Sequence, residues 1–205
     1  MLKPVLILAD GTFPQHAVPL GHLKAADKIV CCDGSAEALI QFGLEPFAIV
    51  GDMDSLSPEV GKRYAGRIFR YDDQETNDLT KAVNWCIGSG LNEIVIVGAT
   101  GKREDHTLGN ISLLADYCDQ VQVKMVTDTG CFIPFNADCR IECFPGQQVS
   151  VFSMDPETEI TSLGLKYPLK SKKIKRWWEA TLNEVTGDHF ELRFSSGKVI
   201  VFLTF

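Results

Sequence analysis

Short apolar runs alternate with helical patterns through the first 130 residues of the chain. The runs typical of strands are Val5–Ala9, Ile29–Cys32, Phe47–Val50, Arg67–Tyr71, Ile94–Val97 and Val121–Thr127. Apolar residues recur at helical spacing between them, in Ala36–Phe42, Pro58–Tyr64, Asp78–Ile87 and Leu108–Cys118. This alternation predicts an α/β domain over residues 1–130, with a mostly parallel sheet covered by helices on both faces.

The pattern changes near Gly130, and residues 131–205 are predicted to form a second domain. Strand-like runs follow one another here, in Arg140–Phe144, Gln148–Phe152, Glu159–Ser162, Phe190–Phe194 and Lys198–Thr204. Turn signals such as Pro145-Gly146 separate them. Consecutive short strands divided by turns favour a small antiparallel sandwich or barrel. The basic run Lys170–Arg176 is expected to be a solvated loop.

Composition narrows the class of protein. The chain has 205 residues and a formal net charge of −7, which argues against non-specific nucleic-acid binding because that needs a cationic surface. No apolar run approaches the ~20 residues of a membrane helix, and the first run is too short for the core of a signal peptide. We therefore expect a cytoplasmic protein without a membrane partner. Seven cysteines without metal-like spacing fit reduced, mostly buried thiols.

Acidic residues follow most of the predicted strands of the first domain. They are Asp10, Asp33, Asp52, Asp54, Asp72, Asp73 and Asp128. In an open parallel sheet the carboxyl ends of the strands lie at one edge, where ligands bind. We therefore expect these carboxylates to converge on one edge of the sheet.

A cluster of Asp33, Asp52, Asp54 and Asp78 at this edge favours a bound cation. Two carboxylates ~4 Å apart repel each other by about 4 kcal/mol at an effective dielectric constant near 20. Oxygen ligands without histidine or thiolate suit Mg²⁺, which commonly bridges carboxylates and substrate phosphates. The alternative is that each aspartate caps the next helix or forms an Asx turn.

Two further features point to phosphate. Lys81 shares a helix face with Asp78, near a helix N-terminus where phosphate is favoured; an intrahelical ion pair is the alternative. The segment Gly98–Arg103 lacks the Walker A pattern but supplies backbone donors and a guanidinium that can bind phosphate. His106 is either part of the helix start or a polar group of the site.

Four motifs occur together in one order and spacing. They are Asp33-Gly34-Ser35-Ala36, Gly51-Asp52-Met53-Asp54-Ser55, Gln74-x-x-x-Asp78-x-x-Lys81 and Gly98-x-x-Gly101-x-Arg103-x-Asp105-His106-x-Leu108-x-Asn110. As a set they resemble the thiamin pyrophosphokinases, and the resemblance extends to Gly164–Leu169 and Thr181–Glu184. It implies a Rossmann-like catalytic domain, a C-terminal β-sandwich, and transfer of pyrophosphate from ATP to the hydroxyl of thiamine, which gives thiamine diphosphate and AMP.

The resemblance also implies the residues of the site. Mg²⁺ is expected on Asp52, Asp54 and Asp78, which form the catalytic set together with Lys81. The residues expected to line the nucleotide and phosphate site are Asp33, Gln74, Lys81, Arg103 and Asp105. Catalysis is expected to rest on positioning and charge neutralisation while the hydroxyl attacks the β-phosphorus.

The second domain is expected to contribute to thiamine binding and to dimerisation. The family uses a Ser-Asn pair for thiamine; Asn183 matches it, but Leu182 stands in place of the serine. We expect Trp178 to contact thiamine too, because aromatic faces bind cations such as the thiazolium ring; burial of Trp177 and Trp178 is the alternative. The resemblance and the open edges of a small sandwich favour a homodimer with shared active sites.

Two other functions stay open on the sequence alone. One is a related nucleotide-dependent transferase acting on another small alcohol, which a pocket remodelled by Leu182 would favour. The other is a non-catalytic regulator that binds nucleotide or thiamine, against which the complete set of Asp52, Asp54, Asp78 and Lys81 argues. Thiamine-dependent release of AMP from ATP and Mg²⁺ distinguishes the three.

Overall fold

A computed structural model describes residues 3–205 and divides the chain into two compact units. The first unit holds the residues up to Leu113 together with Gln120–Asp128, and the second holds Leu114–Asp119 and Thr129–Phe205. The predicted domain boundary after residue 130 stays a prediction. Within residues 3–205, no helix has both the length and the apolar character that a membrane crossing requires.

Parallel strands form the centre of the first unit. They are β1 (Val5–Leu8), β2 (Ile29–Cys32), β3 (Ala48–Gly51), β4 (Ile68–Arg70), β5 (Glu93–Val97) and β6 (Gln122–Val126). Hydrogen-bonded neighbours follow the order β6-β5-β1-β2-β3-β4, and every pair is parallel. The winding reverses at β1, which places a ligand-binding crevice beyond the carboxyl ends of β1, β2 and β5. The prediction of a mostly parallel α/β sheet is confirmed.

Helices follow these strands along the chain. They are α1 (Ala17–Ala25), α2 (Ser35–Gln41), α3 (Pro58–Arg63), α4 (Asp78–Gly88) and α5 (Glu104–Tyr117), with a 3₁₀ turn at Ala65–Arg67. Helix α4 begins after Asn77, whose Oδ1 accepts a hydrogen bond from the Thr80 N–H at 2.9 Å. One face of α4 buries Leu79, Val83 and Cys86. Because the cap is local and this face is apolar, the predicted helix Asp78–Ile87 agrees with the structure.

Two helices differ from the prediction. Helix α1 lies outside every predicted element. Its buried residues Pro19 and Leu23 are four positions apart, as on one helix face, but Pro19 and Gly21 are themselves poor helix formers and hide this signal. Helix α5 begins at Glu104 rather than Leu108. Its first turn is acidic, which the helix dipole stabilises without any apolar signal.

The second unit contains two antiparallel sheets. Its strands are β7 (Gly130–Phe135), β8 (Cys139–Glu142), β9 (Gln148–Ser153), β10 (Glu159–Leu163), β11 (Lys172–Lys173), β12 (Asn183–Glu184), β13 (His189–Arg193) and β14 (Val199–Thr204). The antiparallel neighbours follow the orders β12-β9-β14-β7 and β11-β10-β13-β8. Residues of both sheets, among them Val151, Ile160, Phe190 and Val201, share one core. The unit is therefore a sandwich, as predicted.

The structure differs from the prediction at two places in this unit. The first is strand β7, which was not predicted, although it pairs with β14 from Gly130 to Phe135. Its Pro134 breaks the strand signal, since proline is rare inside strands. The expected solvated loop Lys170–Arg176 contains the short strand β11, which pairs Lys172 and Lys173 with β10.

The seven cysteines are free thiols. Cys31, Cys32 and Cys86 are buried and the other four are half-buried. Burial raises the pKa of Cys31 and of Cys86 to about 12. These thiols are therefore protonated at neutral pH and act as small apolar core residues.

Candidate active site

A pocket of about 370 Å³ opens at the carboxyl ends of the parallel strands. Asp10 and Gly11 line it just past β1, Cys32 at the end of β2, and Asp52 just past β3. The remaining walls come from α4, the loop before it and the loop that leads into α5. Their lining residues are Gln74, Thr76, Asn77, Asp78, Leu79, Lys81, Lys102, Arg103, His106 and Asn110. The pocket lies where a doubly wound sheet binds ligands.

Three aspartates beside this pocket form a carboxylate cluster. One oxygen atom each of Asp33, Asp52 and Asp54 lies within 4.8 Å of the others. Asp33 is buried, Asp52 is half-buried and Asp54 is exposed. The carboxylate cluster is a candidate site for a divalent metal ion, since clustered carboxylate oxygens are what hard cations bind.

The backbone around the carboxylate cluster is strained. Asp33 has a φ of 39° and Met53 a φ of 69°, a left-handed conformation that costs a non-glycine residue roughly 1–2 kcal/mol. Gly51 allows the close approach of neighbouring side chains, because a Cβ atom there would lie 3.0 Å from the Asp33 Cβ and 3.3 Å from the Asp78 Oδ1. Strain of this kind is concentrated at functional sites in proteins.

Hydrogen bonds within the Gly51–Ser55 motif orient two of the carboxylates. The Asp54 N–H donates to the Asp52 Oδ1 at 3.2 Å, and the Ser55 hydroxyl donates to the Asp54 Oδ1 at 2.9 Å. The bond from the Asp54 N–H is the main reason that the pKa of Asp52 is lowered. The Asx-turn interpretation is therefore correct for Asp52, but it does not account for the buried carboxylate of Asp33.

Asp33 is only 3% exposed. Its Oδ2 accepts a hydrogen bond from the Ser55 N–H at 3.1 Å, whereas its Oδ1 is buried and has no hydrogen-bond partner within residues 3–205. Burial raises the pKa of Asp33 to about 6. An orphaned carboxylate oxygen facing two other carboxylates is the arrangement expected of a cation ligand.

Lys81 lies between Asp78 and Asp52. Its Nζ is 3.0 Å from the Asp78 Oδ1 and 3.9 Å from the Asp52 Oδ2, and its side chain is 5% exposed. Burial disfavours the ammonium ion, but the hydrogen bond and charge of Asp78 and the charge of Asp52 outweigh it and raise the pKa of Lys81. Lys81 is therefore charged at neutral pH and faces the pocket.

Two further cationic side chains, Lys102 and Arg103, line the pocket. Arg103 donates to both carboxylate oxygens of Asp105, at 3.0 and 2.6 Å, and this pair lowers the pKa of Asp105 to about 2. Lys102 pairs with Asp10 at 2.8 Å. Both ion pairs are solvent-exposed and contribute little to the stability of the fold. Lys102 and Arg103 can therefore leave their aspartate partners and bind phosphate with little loss of stability.

Two loops of the pocket are locked together through the backbone. The Gly11 N–H donates to the Gly98 carbonyl at 2.6 Å, and the Thr12 N–H donates to the Thr100 carbonyl at 2.8 Å. A Cβ atom at Gly11 would lie 2.4 Å from that Gly98 oxygen. Only glycine permits this approach, and the loops after β1 and β5 are therefore rigid.

A group of exposed apolar side chains lies in the second unit. Tyr167 is 62% exposed, Trp178 is 69% exposed and Leu182 is 72% exposed. Leu182 has a left-handed φ of 56°, and its N–H donates to the Ser150 Oγ at 3.2 Å. Large exposed apolar groups on a fixed backbone are typical of binding surfaces. Trp178 is therefore not buried in the sandwich core.

Asn183 is buried and holds this surface in place. Its Oδ1 accepts hydrogen bonds from the Tyr167 N–H at 3.1 Å and the Glu184 N–H at 2.9 Å. Its Nδ2 donates to the Tyr167 carbonyl at 2.7 Å. The amide of Asn183 is thus largely used within the fold, which makes it a positioning residue for Tyr167.

Both halves of the chain match models of known protein families. Residues 21–127 match the model of the thiamin pyrophosphokinase catalytic domain. Residues 130–202 match the model of the thiamin pyrophosphokinase substrate-binding domain. The chain belongs to the thiamin pyrophosphokinase family. The predicted family, and with it ATP-dependent pyrophosphate transfer to thiamine, is confirmed.

Relatives from a nematode and a bacterium match most of the chain. Thiamin pyrophosphokinase 1 of Caenorhabditis elegans is 26% identical over 186 residues, which cover 83% of this chain and 76% of the relative. Thiamine pyrophosphokinase of Bacillus subtilis is 26% identical over 191 residues, which cover 83% of each chain.

Solved structures share the fold of the chain. The Bacillus subtilis thiamine pyrophosphokinase superposes with a TM-score of 0.83 at 23% identity, covering 98% of this chain and 99% of that one. The yeast thiamin pyrophosphokinase superposes with a TM-score of 0.81 at 18% identity, covering 98% and 86%. At such low identity these likenesses concern the fold.

The structure places the predicted site residues in three groups. Of the predicted residues, Asp52, Gln74, Asp78, Lys81 and Arg103 line the pocket of the first unit. Asp33 and Asp54 join Asp52 in the carboxylate cluster, and Asp105 pairs with Arg103. Asn183 and Trp178 belong to the second unit.

Several pocket residues are absent from the predicted set. Asp10, Cys32, Lys102, Asn77 and Asn110 all line the pocket. Asp10 is one of the carboxylates expected at this edge of the sheet, but no sequence motif assigns it a role in the site. Lys102 carried no signal, because its ion pair joins residues far apart in the sequence. His106 satisfies both interpretations left open for it, since it lies in the first turn of α5 and lines the pocket.

Proposed function

We propose that the pocket of the first unit binds ATP together with Mg²⁺ and that the chain transfers its pyrophosphoryl group to the hydroxyl of thiamine. The observation that carries this proposal is the carboxylate cluster beside the buried ammonium of Lys81, at the carboxyl ends of the parallel strands β2 and β3. Oxygen-only ligands next to a lysine suit a magnesium–phosphate complex.

The residues present fit Mg²⁺. The Asp33 Oδ1 is a buried acceptor without a partner among the described residues, and the other donors are carboxylate oxygens. The predicted ligands Asp52, Asp54 and Asp78 would hold the ion. When bound, Mg²⁺ neutralises charge on the polyphosphate and on the leaving AMP.

The chain's own residues then position the reactants. Lys81 contacts the polyphosphate from the side of α4, while Arg103 and Lys102 approach it from the loop before α5. The locked loops after β1 and β5 hold this geometry without reorganisation. The thiamine hydroxyl attacks the β-phosphorus, its proton passes to a pocket carboxylate, and AMP leaves. Preorganised charge of this kind supplies most of the catalysis in phosphoryl transfer.

Thiamine is proposed to bind the exposed apolar surface of the second unit. The π face of Trp178 suits the permanent charge of the thiazolium ring, and its 69% exposure leaves that face free. Asn183 acts by fixing the segment of Tyr167, with which it shares two hydrogen bonds. Replacing Trp178 by alanine should raise the KM for thiamine about 10-fold with little change in the KM for ATP.

The experiment that tests the activity is release of AMP from ATP and Mg²⁺, with and without thiamine. Wild-type protein should release AMP only with thiamine, and Asp54→Asn should lower the rate at least about 100-fold. Asp27→Asn is the matched control, because Asp27 lies outside the pocket and pairs with Lys3 on the surface. ATP binding without AMP release would instead indicate a regulator.

A second substrate class follows from Leu182. Its exposed aliphatic side chain stands where the family places a serine, on a left-handed backbone. A related alcohol with a more apolar ring would contact this side chain better than thiamine does. The same AMP assay with a panel of heterocyclic alcohols tests this; a kcat/KM above that of thiamine would replace thiamine as the substrate.

We propose further that the active sites are shared within a homodimer. The carboxylate cluster and the Trp178 surface belong to different units, and the family resemblance implies sites between subunits. Mixing Asp54→Asn with Asn183→Ala chains should restore about a quarter of wild-type activity, because about half of the dimers are mixed and each has one intact site. Mixing Asp54→Asn with Asp52→Asn is the control and should restore nothing. No recovery in the first mixture, despite proven exchange, contradicts shared sites.

A further inference from the structure

Two asparagines connect the walls of the pocket in the first unit. Asn77 directly precedes α4 and Asn110 lies in the second turn of α5, and both line the pocket. Helix α4 carries Asp78 and Lys81 near its start, whereas the loop before α5 carries Arg103. The two asparagines therefore join the two elements whose charged groups are proposed to hold the polyphosphate and its metal ion.

The side-chain amide of Asn77 has one possible orientation. Its Oδ1 accepts a hydrogen bond from the Thr80 N–H at 2.9 Å and so caps α4. Its Nδ2 donates to the Asn110 Oδ1 at 3.2 Å. Because a backbone N–H can only donate, the helix cap decides that the NH₂ group of Asn77 is the end that faces Asn110.

The amide of Asn110 is oriented from both sides. Its Oδ1 accepts the bond from Asn77, and its Nδ2 donates to the Ala99 carbonyl at 2.9 Å. Because a carbonyl can only accept, this position needs a donor and an acceptor on one short side chain, which asparagine supplies. We call the hydrogen bonds from Thr80 through Asn77 and Asn110 to Ala99 the asparagine bridge.

The loop that the asparagine bridge reaches is held in place by other bonds. The Gly11 N–H donates to the Gly98 carbonyl at 2.6 Å, and the Thr107 hydroxyl donates to the Arg103 carbonyl at 2.9 Å. The bridge connects this fixed loop to the start of α4. Its Asn77–Asn110 bond is solvent-exposed, so water can replace it and its loss should cost the fold little stability.

We propose that Asn77 and Asn110 are positioning residues for pyrophosphate transfer, which keep the start of α4 at a fixed distance from the loop before α5. This rests on the proposed function, because it specifies how the ATP pocket of that reaction keeps its shape. Lys81 and Arg103 reach the polyphosphate from these two elements, and developing charge is stabilised best when both are already in place. An error near 1 Å in such an arrangement can lower a rate by about 100-fold.

Steady-state kinetics of thiamine-dependent AMP release test the proposal. Asn110→Ala removes both bonds of Asn110, whereas Asn77→Ser keeps a good helix cap but has no amide to reach Asn110. Each variant should lower kcat at least about 10-fold. The Kd of a non-hydrolysable ATP analogue with Mg²⁺ should change less than about 3-fold, because a residue that only aligns other groups acts on the transition state rather than on ground-state binding.

A double-mutant cycle shows whether the two asparagines act as one device. Because Asn77 is proposed to act through Asn110, the double variant should have a kcat within about 2-fold of Asn110→Ala. The matched control is Asn84→Ala, since Asn84 is exposed on α4 and lies outside the pocket; it should keep the wild-type kcat. Urea unfolding checks the fold of each variant. Asn110→Ser, whose hydroxyl is one bond short of both partners, replaces Asn110→Ala if that variant is unfolded.

Three results would overturn the proposal. If the losses of kcat multiply in the double variant, the two asparagines act separately. If Asn77→Ser keeps the wild-type kcat while Asn110→Ala loses it, Asn110 acts without the bridge. If affinity for the ATP analogue falls as much as kcat, the asparagines bind nucleotide rather than position other groups.

The wild-type protein tests the proposed function separately. Without thiamine-dependent AMP release by wild type, the proposed function itself fails. With that release and an unchanged kcat in both single variants, only the positioning role is refuted.

Discussion

The ion pair of Asp78 and Lys81 should be several times stronger than a surface ion pair of the same length. At 3.0 Å two unit charges attract each other by about 5–6 kcal/mol at an effective dielectric constant of 20. Burial of Lys81 subtracts a desolvation cost of several kcal/mol, and Asp52 at 3.9 Å partly replaces Asp78 when it is removed. We therefore expect a coupling free energy of about 2 kcal/mol, between the ~0.2–1 kcal/mol of exposed pairs and the ~3–5 kcal/mol lost on breaking buried ones.

A double-mutant cycle measures this coupling. The variants are Asp78→Asn, Lys81→Met and the combination of both, each unfolded in urea at pH 7 with EDTA present. Methionine keeps an apolar stem of similar length and removes the ammonium group, with its charge and its hydrogen bond to Asp78. The metal-free condition separates the ion pair from any contribution of a bound cation.

The matched control is a second cycle on Lys3 and Asp27. Their ion pair is 2.8 Å long, but the two side chains are 57% and 67% exposed. Its coupling should stay below about 0.5 kcal/mol because water and salt screen exposed charges. Equal couplings in the two cycles would refute the reasoning, since burial would then add nothing to the pair at Lys81.

Other predictions concern the backbone and pH. The pKa of Asp33 is raised to about 6, so the wild-type fold loses stability as the pH rises from about 4 to 6 and this carboxyl ionises. Asp33→Asn removes that loss. The variant should therefore be more stable than wild type by about 2 kcal/mol at pH 7.5 in the absence of metal, and hardly more stable at pH 4. A pH-independent difference in urea unfolding would contradict this. Gly11→Ala should lower the free energy of unfolding by about 2–4 kcal/mol, measured by thermal unfolding, because its Cβ would lie 2.4 Å from the Gly98 oxygen. In the control Gly109→Ala the Cβ meets nothing within 4 Å, so this variant should be neutral or stabilising. Leu182→Asn should raise stability by about 0.5–1 kcal/mol by relieving its left-handed φ of 56°; a lower melting temperature would contradict this.

The layout of the first unit was largely readable from the sequence. Buried strands such as Ile94–Val97 appear as unbroken apolar runs, because both faces of a parallel sheet are covered. The start of α4 follows from the local cap of Asn77. Strand β7 escaped prediction because Pro134 interrupts its short apolar run; its strand conformation is evident from its pairing with β14.

The motifs determined which carboxylates belong to the site, and only the tertiary structure decided their partners. Asp52 and Asp54 are close in sequence, and a turn at Met53 suffices to bring them together. The contact of Asp33 with Ser55 and the pairing of Lys102 with Asp10 span 22 and 92 residues. Which carboxylate is left without a partner and which is neutralised by Lys81 depends on these long-range contacts. Burial and charge pairing exist only once the chain has folded, and for that reason the local sequence cannot specify them.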